Sequence, residues 1–251
     1  MTPNKLHQQL TADLAKLRLP YSIENYKQML AEAESKKWSM LQFLAHLMAS
    51  EAACFEERAL DRRIRYAHLP KDKTLADYDF HFPKRIAKQK LLNYFDCDFI
   101  RMAHNLVIIG NQGVGKTHLL TALGYRACRK GISTRFVRVI DMINNLTAAQ
   151  QQGTLGKALK IYSKPALLLL DELGYLPVDK RGADLMFQVV AARYESGSMV
   201  ITTNRPFKNW GEILDVDTTL ASAMIDRLMH HGEAIVIEGK SYRVKDRIMD
   251  S

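Results

Sequence analysis

The sequence predicts an α/β protein: a parallel five-stranded sheet sandwiched by helices, preceded by a small all-α module. Three observations carry that prediction. Beyond Asn105, short runs rich in Val, Ile and Leu alternate with amphipathic segments, as in strands buried on both faces and joined by crossover helices. A glycine-rich loop, Gly110-Asn-Gln-Gly-Val-Gly-Lys-Thr117, follows the first of those runs and opens the first of those helices. Residues from about 4 to 68 read as helices instead.

Leu6, Leu10, Leu14 and Leu17 recur at helical spacing, and Leu19-Pro20 ends that segment. A second, short helix is expected over 23–36. Ser39-Met-Leu-Gln42 is a capping box, in which hydroxyl and amide each satisfy a free backbone N–H. The helix it opens has Leu41, Leu44, Met48, Phe55 and Ala59 on one stripe and Arg58, Arg62 and Arg65 on another. Pro70 stops it. Residues 70–90 mix turn formers, charges and aromatics, and read as a basic connector. The expected strands are Leu106–Ile109, Thr134–Val139, Ala166–Leu170, Met199–Thr203 and Ala234–Glu238; the expected helices are 116–130, 140–152, 182–195 and 218–231. The domains are therefore drawn at 1–69, 70–90 and 91–251.

The chain has 251 residues, 47% hydrophobic and 25% charged, an ordinary globular composition that excludes wholesale disorder and fibrous classes. Its charge is unusual. Thirty-six Lys and Arg against 27 Asp and Glu leave +9, which suits a polyanionic partner such as nucleic acid or an acidic membrane. Three cysteines without C-x-x-C spacing argue against a disulfide framework or zinc site. No signal-peptide core or bilayer-length apolar run is present, so the expectation is a cytoplasmic chain with no membrane partner.

The loop at 110–117 matches G-x-x-x-x-G-K-[ST] completely. Its glycines allow backbone N–H groups to curl around a phosphate, and the new helix points its positive end at the anion. Lys116 is placed to bridge the β- and γ-phosphates of ATP, and the Thr117 hydroxyl to ligate Mg²⁺. Gly110, Asn111, Gln112, Gly113, Val114, Gly115, Lys116, Thr117 and His118 make up the nucleotide-binding set with Asp171. The strand Ala166–Leu170 runs into Asp171-Glu172, and carboxyl ends of parallel strands are where ligands lie. Asp171 is assigned to the metal, together with Thr117. Glu172 is assigned to take the proton of an attacking water. That adjacent acid favours hydrolysis over a kinase reaction, which must exclude water. A strand ending in solvated charges is the bland alternative. At the end of the next strand, the Asn204 amide could orient the lytic water or simply support the turn at Arg205-Pro-Phe.

Together these residues resemble the AAA+ ATPases, and specifically the IstB/DnaC-like group. The resemblance spans about Thr74 to Arg243. It rests on Thr74-Leu-Ala-Asp-Tyr-Asp-Phe80, Gly110–Leu119, Leu170-Asp-Glu-Leu-Gly-Tyr-Leu-Pro177, Arg193-Tyr-Glu195, Thr202-Thr-Asn-Arg-Pro-Phe207 with Trp210, Asp226-Arg-Leu228 and Gly239-Lys-Ser-Tyr-Arg243. The Asp-Glu-Leu-Gly-Tyr-Leu-Pro and Ser-Tyr-Arg pieces resemble the IstB side more than the helicase loaders. The resemblance implies an insertion-sequence helper ATPase that assembles on duplex DNA with ATP and engages a partner transposase. It implies that Asn204 is the sensor. It further implies that Arg227 is a finger reaching the γ-phosphate held by a neighbouring subunit of a homo-oligomer. Pairing of Arg227 with Asp226 is the bland alternative. Arg243 is a weaker candidate for nucleotide or subunit contacts. After Glu238 only 13 residues remain, so little or no C-terminal lid is expected. Tyr78 and Phe80 could pack on adenine or belong to the core.

Between Arg58 and Lys90, ten basic residues face four acidic ones, which makes this window the candidate DNA side through phosphate neutralisation. Arg58, Arg62, Arg65, Lys84, Arg85 and Lys88 are its candidate contacts; a solvated helix face is the alternative. Core loops such as that around Lys180-Arg181 are further candidates. His230-His231 and the other histidines have no ligand spacing, which favours solvated or packed roles over metal binding. Other readings differ in partner or class: a helicase loader acting through residues 1–68, a small-molecule phosphotransferase, or an architectural DNA binder with structural ATP.

Overall fold

The structure is a computed structural model that describes residues 2–70, 73–214 and 218–242. The chain divides into two compact units, 1–62 and 63–251, and the division falls inside the third helix.

The first unit holds α1 (Pro3–Lys16), α2 (Pro20–Ser35) and most of α3 (Met40–Ala67). Pro20 is the first residue of α2 rather than a mere stop, because its missing N–H is one that a helix start leaves unpaired anyway. The capping box forms: Gln42 Oε1 accepts the Ser39 N–H at 2.8 Å, and Ser39 Oγ accepts the Gln42 N–H at 3.2 Å. Past Ala67, His68 adopts φ +53 and ends α3 before Pro70 is reached.

The expected apolar stripe of α3 is not its buried face. Leu41 is 75% and Phe55 65% exposed, with Leu44 and Met48 also open. The buried side carries Leu47, with Phe43 packed beside it, against Leu14, Tyr26 and Met29. Glu51 explains the rotation. Its buried carboxylate accepts the backbone N–H and the hydroxyl of Ser22 at 2.7 and 2.8 Å, a charge-assisted cap on the first turn of α2. A polar residue therefore orients α3, which hydrophobic periodicity could not register.

The second unit is built on six strands: β1 (Arg85–Ile86), β2 (Asn105–Gly110), β3 (Thr134–Arg138), β4 (Leu167–Leu173), β5 (Ser198–Thr203) and β6 (Gly232–Glu238). Their order is β1-β6-β2-β5-β4-β3. The five expected strands are all parallel. β1 adds an antiparallel edge, pairing Arg85 with Glu238 and Ile86 with Ile237. Two residues are too few for an alternation signal, so this connector strand was invisible in the sequence.

The helices of this unit are α4 (Lys88–Tyr94), α5 (Lys116–Arg129), α6 (Val139–Gln151), α7 (Leu155–Ser163), α8 (Lys180–Arg193), α9 (Trp210–Ile213) and α10 (Thr218–His230). The sequence reading lacked α4, α7 and α9, which are short; α7 is also framed by Gly153 and Pro165. The central strands bury both faces. Leu106, Ile108, Leu167, Leu169 and Val200 join the core that includes Leu119, Leu120 and Leu123 of α5. Val107, Leu168, Leu170, Met199 and Ile201 join the core that includes residues of α6, α8 and α10.

Two buried polar side chains fasten the sheet. Arg193 donates to the carbonyls of Tyr162, Ser163, Pro165, Ala166 and Ser198. Burial pulls its pKa down to about 10, which still leaves it charged at neutral pH. Asn105 donates to the Leu228 carbonyl and accepts the Met199 N–H.

Candidate functional site

Because the central strands are parallel, β2, β4 and β5 deliver their carboxyl ends to one edge of the sheet. Lys116, Thr117, Asp171, Glu172 and Asn204 all line one cavity of about 250 Å³ there. The loop after β2 turns through Gly113 at φ +78 and Gly115 at φ +92, and Gly115 caps α5. A Cβ on Gly113 would stand 2.0 Å from Ser241 Oγ, so both backbone sign and space demand glycine. The first turn of α5 thus lines the cavity, and a helix N-terminus so placed suits a phosphate.

Lys116 Nζ donates to the carbonyls of Gly110 and Asn111 at 2.7 and 2.8 Å. Gly110 and Asn111 therefore hold the lysine, while Gln112 to His118 form the cavity wall. His118 Nε2 lies 2.7 Å from the Thr74 carbonyl.

Asp171 is buried, and its Oδ1 accepts from the hydroxyls of both Thr117 and Thr202. The Thr117 bond, 3.2 Å long, joins the two residues assigned to the metal. Glu172 departs from strand geometry with φ +63, where the β4–β5 register shifts between Leu170 and Leu173. A non-glycine residue in this region stores strain, and a bulge re-aims a side chain. Its backbone N–H donates to Thr202 Oγ1 at 3.0 Å. Asn204 lines the same cavity, with its Oδ1 buried and without a hydrogen-bond partner.

Arg227 is not among the residues lining the cavity. Its guanidinium lies 4.7 Å from the centroid of the Phe187 ring. Tyr78 supports the phosphate loop: its hydroxyl donates to the Val114 carbonyl at 3.0 Å, and a Cβ on Gly115 would meet its ring at 2.5 Å. Burial, aided by Asp79, pushes the Tyr78 phenol up to about 12. Phe80 packs edge-on against Tyr78 at 4.8 Å.

Thr202 stood in a quoted motif but was given no role there. Its signal was the strand pairing, since a threonine at the carboxyl end of β5 neighbours the end of β4. Phe82 was missed, and Tyr242 was quoted without a role; both line the cavity with ring centroids 4.8 Å apart. The Tyr242 N–H donates to the Gly113 carbonyl at 2.9 Å. Arg243 lies outside the described residues.

The basic candidates are heterogeneous. Arg62, Arg65, Lys84, Arg85 and Lys88 are exposed, Lys88 over the Phe80 ring. Arg58 is half-buried and bonds Cys54 Sγ. Arg63 is tied to the Cys128 carbonyl. Among the described residues, no helix is long and apolar enough to cross a membrane.

Fold and site together define a nucleotide-binding P-loop protein of the AAA+ class, with its parallel strands in the order 5-1-4-3-2 when numbered alone. Residues 12–249 match the IstB-like ATP binding protein family, and the chain belongs to it. It is 36% identical over 240 residues to a protein of insertion sequence IS232 from Bacillus thuringiensis subsp. berliner, with 96% of each chain covered. It is 34% identical to one of IS21 from Pseudomonas aeruginosa, covering 93% of this chain and 88% of that one. Both relatives are named for ATP binding. Among solved structures, the DnaC helicase loader superposes with a TM-score of 0.57 at 24% identity, covering 69% of this chain and 99% of that one. AMPPCP-bound DnaA from Aquifex aeolicus gives 0.58 at 21%, covering 73% and 57%. These two likenesses speak for the fold.

Proposed function

We propose that this insertion-sequence ATP-binding protein is a Mg²⁺-dependent ATPase that oligomerises on duplex DNA and helps a transposase engage its target. The observation that carries hydrolysis is Glu172. An exposed carboxylate in a strained turn, at the mouth of a phosphate-loop cavity, is placed to accept a proton from water.

The donor set fits a hard cation: one hydroxyl and one buried carboxylate already share a hydrogen bond, so both oxygens converge. Thr117 and Asp171 would hold Mg²⁺, which when bound neutralises charge on the β- and γ-phosphates. Lys116 exchanges the Gly110 and Asn111 carbonyls for phosphate oxygens. The α5 N-terminus and the loop N–H groups hold the β-phosphate. Glu172 takes the proton of the attacking water, and the unpartnered Asn204 Oδ1 orients that water. Asp171 keeps its place through Thr202.

Arg227 lies outside its own chain's cavity, which supports a role toward a neighbouring subunit. Its planar, permanently charged guanidinium suits transition-state charge on the γ-phosphate. ATP then bridges subunits and favours assembly by linkage; hydrolysis releases it. The exposed cations at 62, 65, 84, 85 and 88 supply sequence-independent affinity for DNA. The insertion-sequence relatives favour a transposase partner over a helicase, since the likeness to the helicase loader rests on fold alone.

Steady-state ATP hydrolysis with and without duplex DNA, alongside sizing with ATP and Mg²⁺, tests this reading. A DNA-stimulated rate and a large ATP-dependent assembly are expected. A DNA-indifferent monomer with the same turnover would sink it.

A further inference from the structure

A second cluster of ligating side chains lies at the other end of β2 from the phosphate loop. Asn105 opens β2 and its N–H donates to the His231 carbonyl at 2.8 Å, while Gly110 closes the strand at the nucleotide cavity. Around His231 the fold gathers Glu195, His230 and His104 from three separate stretches of chain. Sequence spacing could not display this set: Glu195 follows α8, His230 ends α10, and His231 turns the chain into β6.

We propose that Glu195, His230 and His231 form a binding site for a divalent transition metal, Zn²⁺ being the fitting probe. One ligand atom from each lies within 4.8 Å of the others, and this is the grouping of its kind among the described residues. Glu195 Oε1 is 3.5 Å from His231 Nε2. A tetrahedron whose centre is about 2.0–2.1 Å from each ligand has edges of roughly 3.3 Å, so this pair already spans one edge. The set is two imidazoles and one carboxylate, a donor choice that suits Zn²⁺, Co²⁺ or Ni²⁺ over Mg²⁺ or Ca²⁺. Water takes the fourth position.

The surroundings orient these ligands. The Tyr194 hydroxyl lies 2.9 Å from His230 Nδ1 and so fixes the imidazole, as hydrogen-bond partners of metal-binding histidines do. The His104 ring lies parallel to that of His231, 5.7 Å away with 2° between planes. Glu195 is held at φ +55 immediately after α8, whose last residue, Arg193, is pinned by its carbonyl bonds. The histidines lie at the carboxyl end of α10, where the helix dipole attracts a cation. A bound ion ties the end of α8 to the corner between α10 and β6. This site does not rest on the ATPase reading.

The test uses the full chain stripped with EDTA and titrated calorimetrically with ZnCl₂. Thermal denaturation and the visible spectrum of the Co²⁺ form are recorded in parallel. One ion per chain, a raised Tm and tetrahedral Co²⁺ bands are expected. His230→Ala, His231→Ala and Glu195→Gln each weaken binding at least about 10-fold, and Tyr194→Phe about 10-fold through positioning. Excess Mg²⁺ does not compete. Should a histidine variant fail to fold, Glu195→Gln at an exposed position and Tyr194→Phe at a half-buried one carry the test. Absence of binding to the wild type overturns the proposal. So does binding that survives His230→Ala/His231→Ala, or that is lost only when Cys54, Cys97 and Cys128 are replaced.

Discussion

Glu172 occupies a left-handed backbone conformation that a glycine would adopt at no cost, yet the chain keeps a carboxylate there. Strain of this kind, about 1–3 kcal/mol, persists only where surrounding structure enforces it, and Thr202 does so by accepting the Glu172 N–H. If Glu172 is the base, Glu172→Gln slows hydrolysis by about 10²–10⁴-fold while ATP still binds; equal turnover in both proteins would remove the assignment. Thr202→Val tests a residue whose motif was quoted without a role for its hydroxyl. It strips a hydroxyl donor from Asp171 and an acceptor from Glu172. Stability should fall by about 1–3 kcal/mol for the buried groups left unpaired, and the Mg²⁺ requirement should rise about 10-fold. Urea unfolding and a Mg²⁺ titration of ATPase rate read the two effects separately. Lys116 and Thr117 were legible because a phosphate dictates the spacing of their loop, and Asp171 because it closes an apolar strand run. Thr202 was not, because its partner is a neighbour across the sheet.

At the scale of elements, α3 teaches the limits of periodicity. Its Leu41–Leu44–Met48–Phe55 stripe is better patterned than the face it buries, and the Glu51 cap on α2 decides the rotation. α8 makes the complementary case. Arg193 at its end donates to five backbone carbonyls, so Arg193→Met should cost about 3 kcal/mol or more in a denaturant titration. A loss under 1 kcal/mol would mean that water replaces the guanidinium without penalty. In the phosphate loop, Gly113→Ala adds a methyl against Ser241 at an unfavourable φ. ATP affinity should drop by at least an order of magnitude, with the fold intact by circular dichroism.

For the whole molecule, the proposed arginine finger in trans is what an experiment can reach. Asp171, Glu172 and Asn204 line the cavity with the phosphate loop, but Arg227 rests on Phe187 outside it. Neither Arg227→Ala nor Lys116→Ala should hydrolyse ATP alone. Mixed, they should recover part of the wild-type rate, since some interfaces then pair an intact loop with an intact arginine. Full activity of Arg227→Ala by itself would refute a finger in trans. The +9 charge belongs to this scale as well. Binding to duplex DNA should weaken steeply with salt, and Lys84→Ala/Lys88→Ala should flatten the slope by about two counterions, as measured by fluorescence anisotropy.

What was readable from residue order is the chemistry that local spacing dictates: the five parallel strands, the phosphate loop, the Asp171-Glu172 pair and the capping box at Ser39. Each depends on neighbours along the chain or on runs of apolar residues, and so survives without knowledge of the fold. Tertiary structure decided the rest: the rotation of α3, the antiparallel edge strand at Arg85–Ile86, the Thr202 bond to Asp171 and the meeting of Glu195 with His230 and His231. Those arise from contacts between residues distant in sequence, which become neighbours only when burial of both sheet faces brings their strands and helices together.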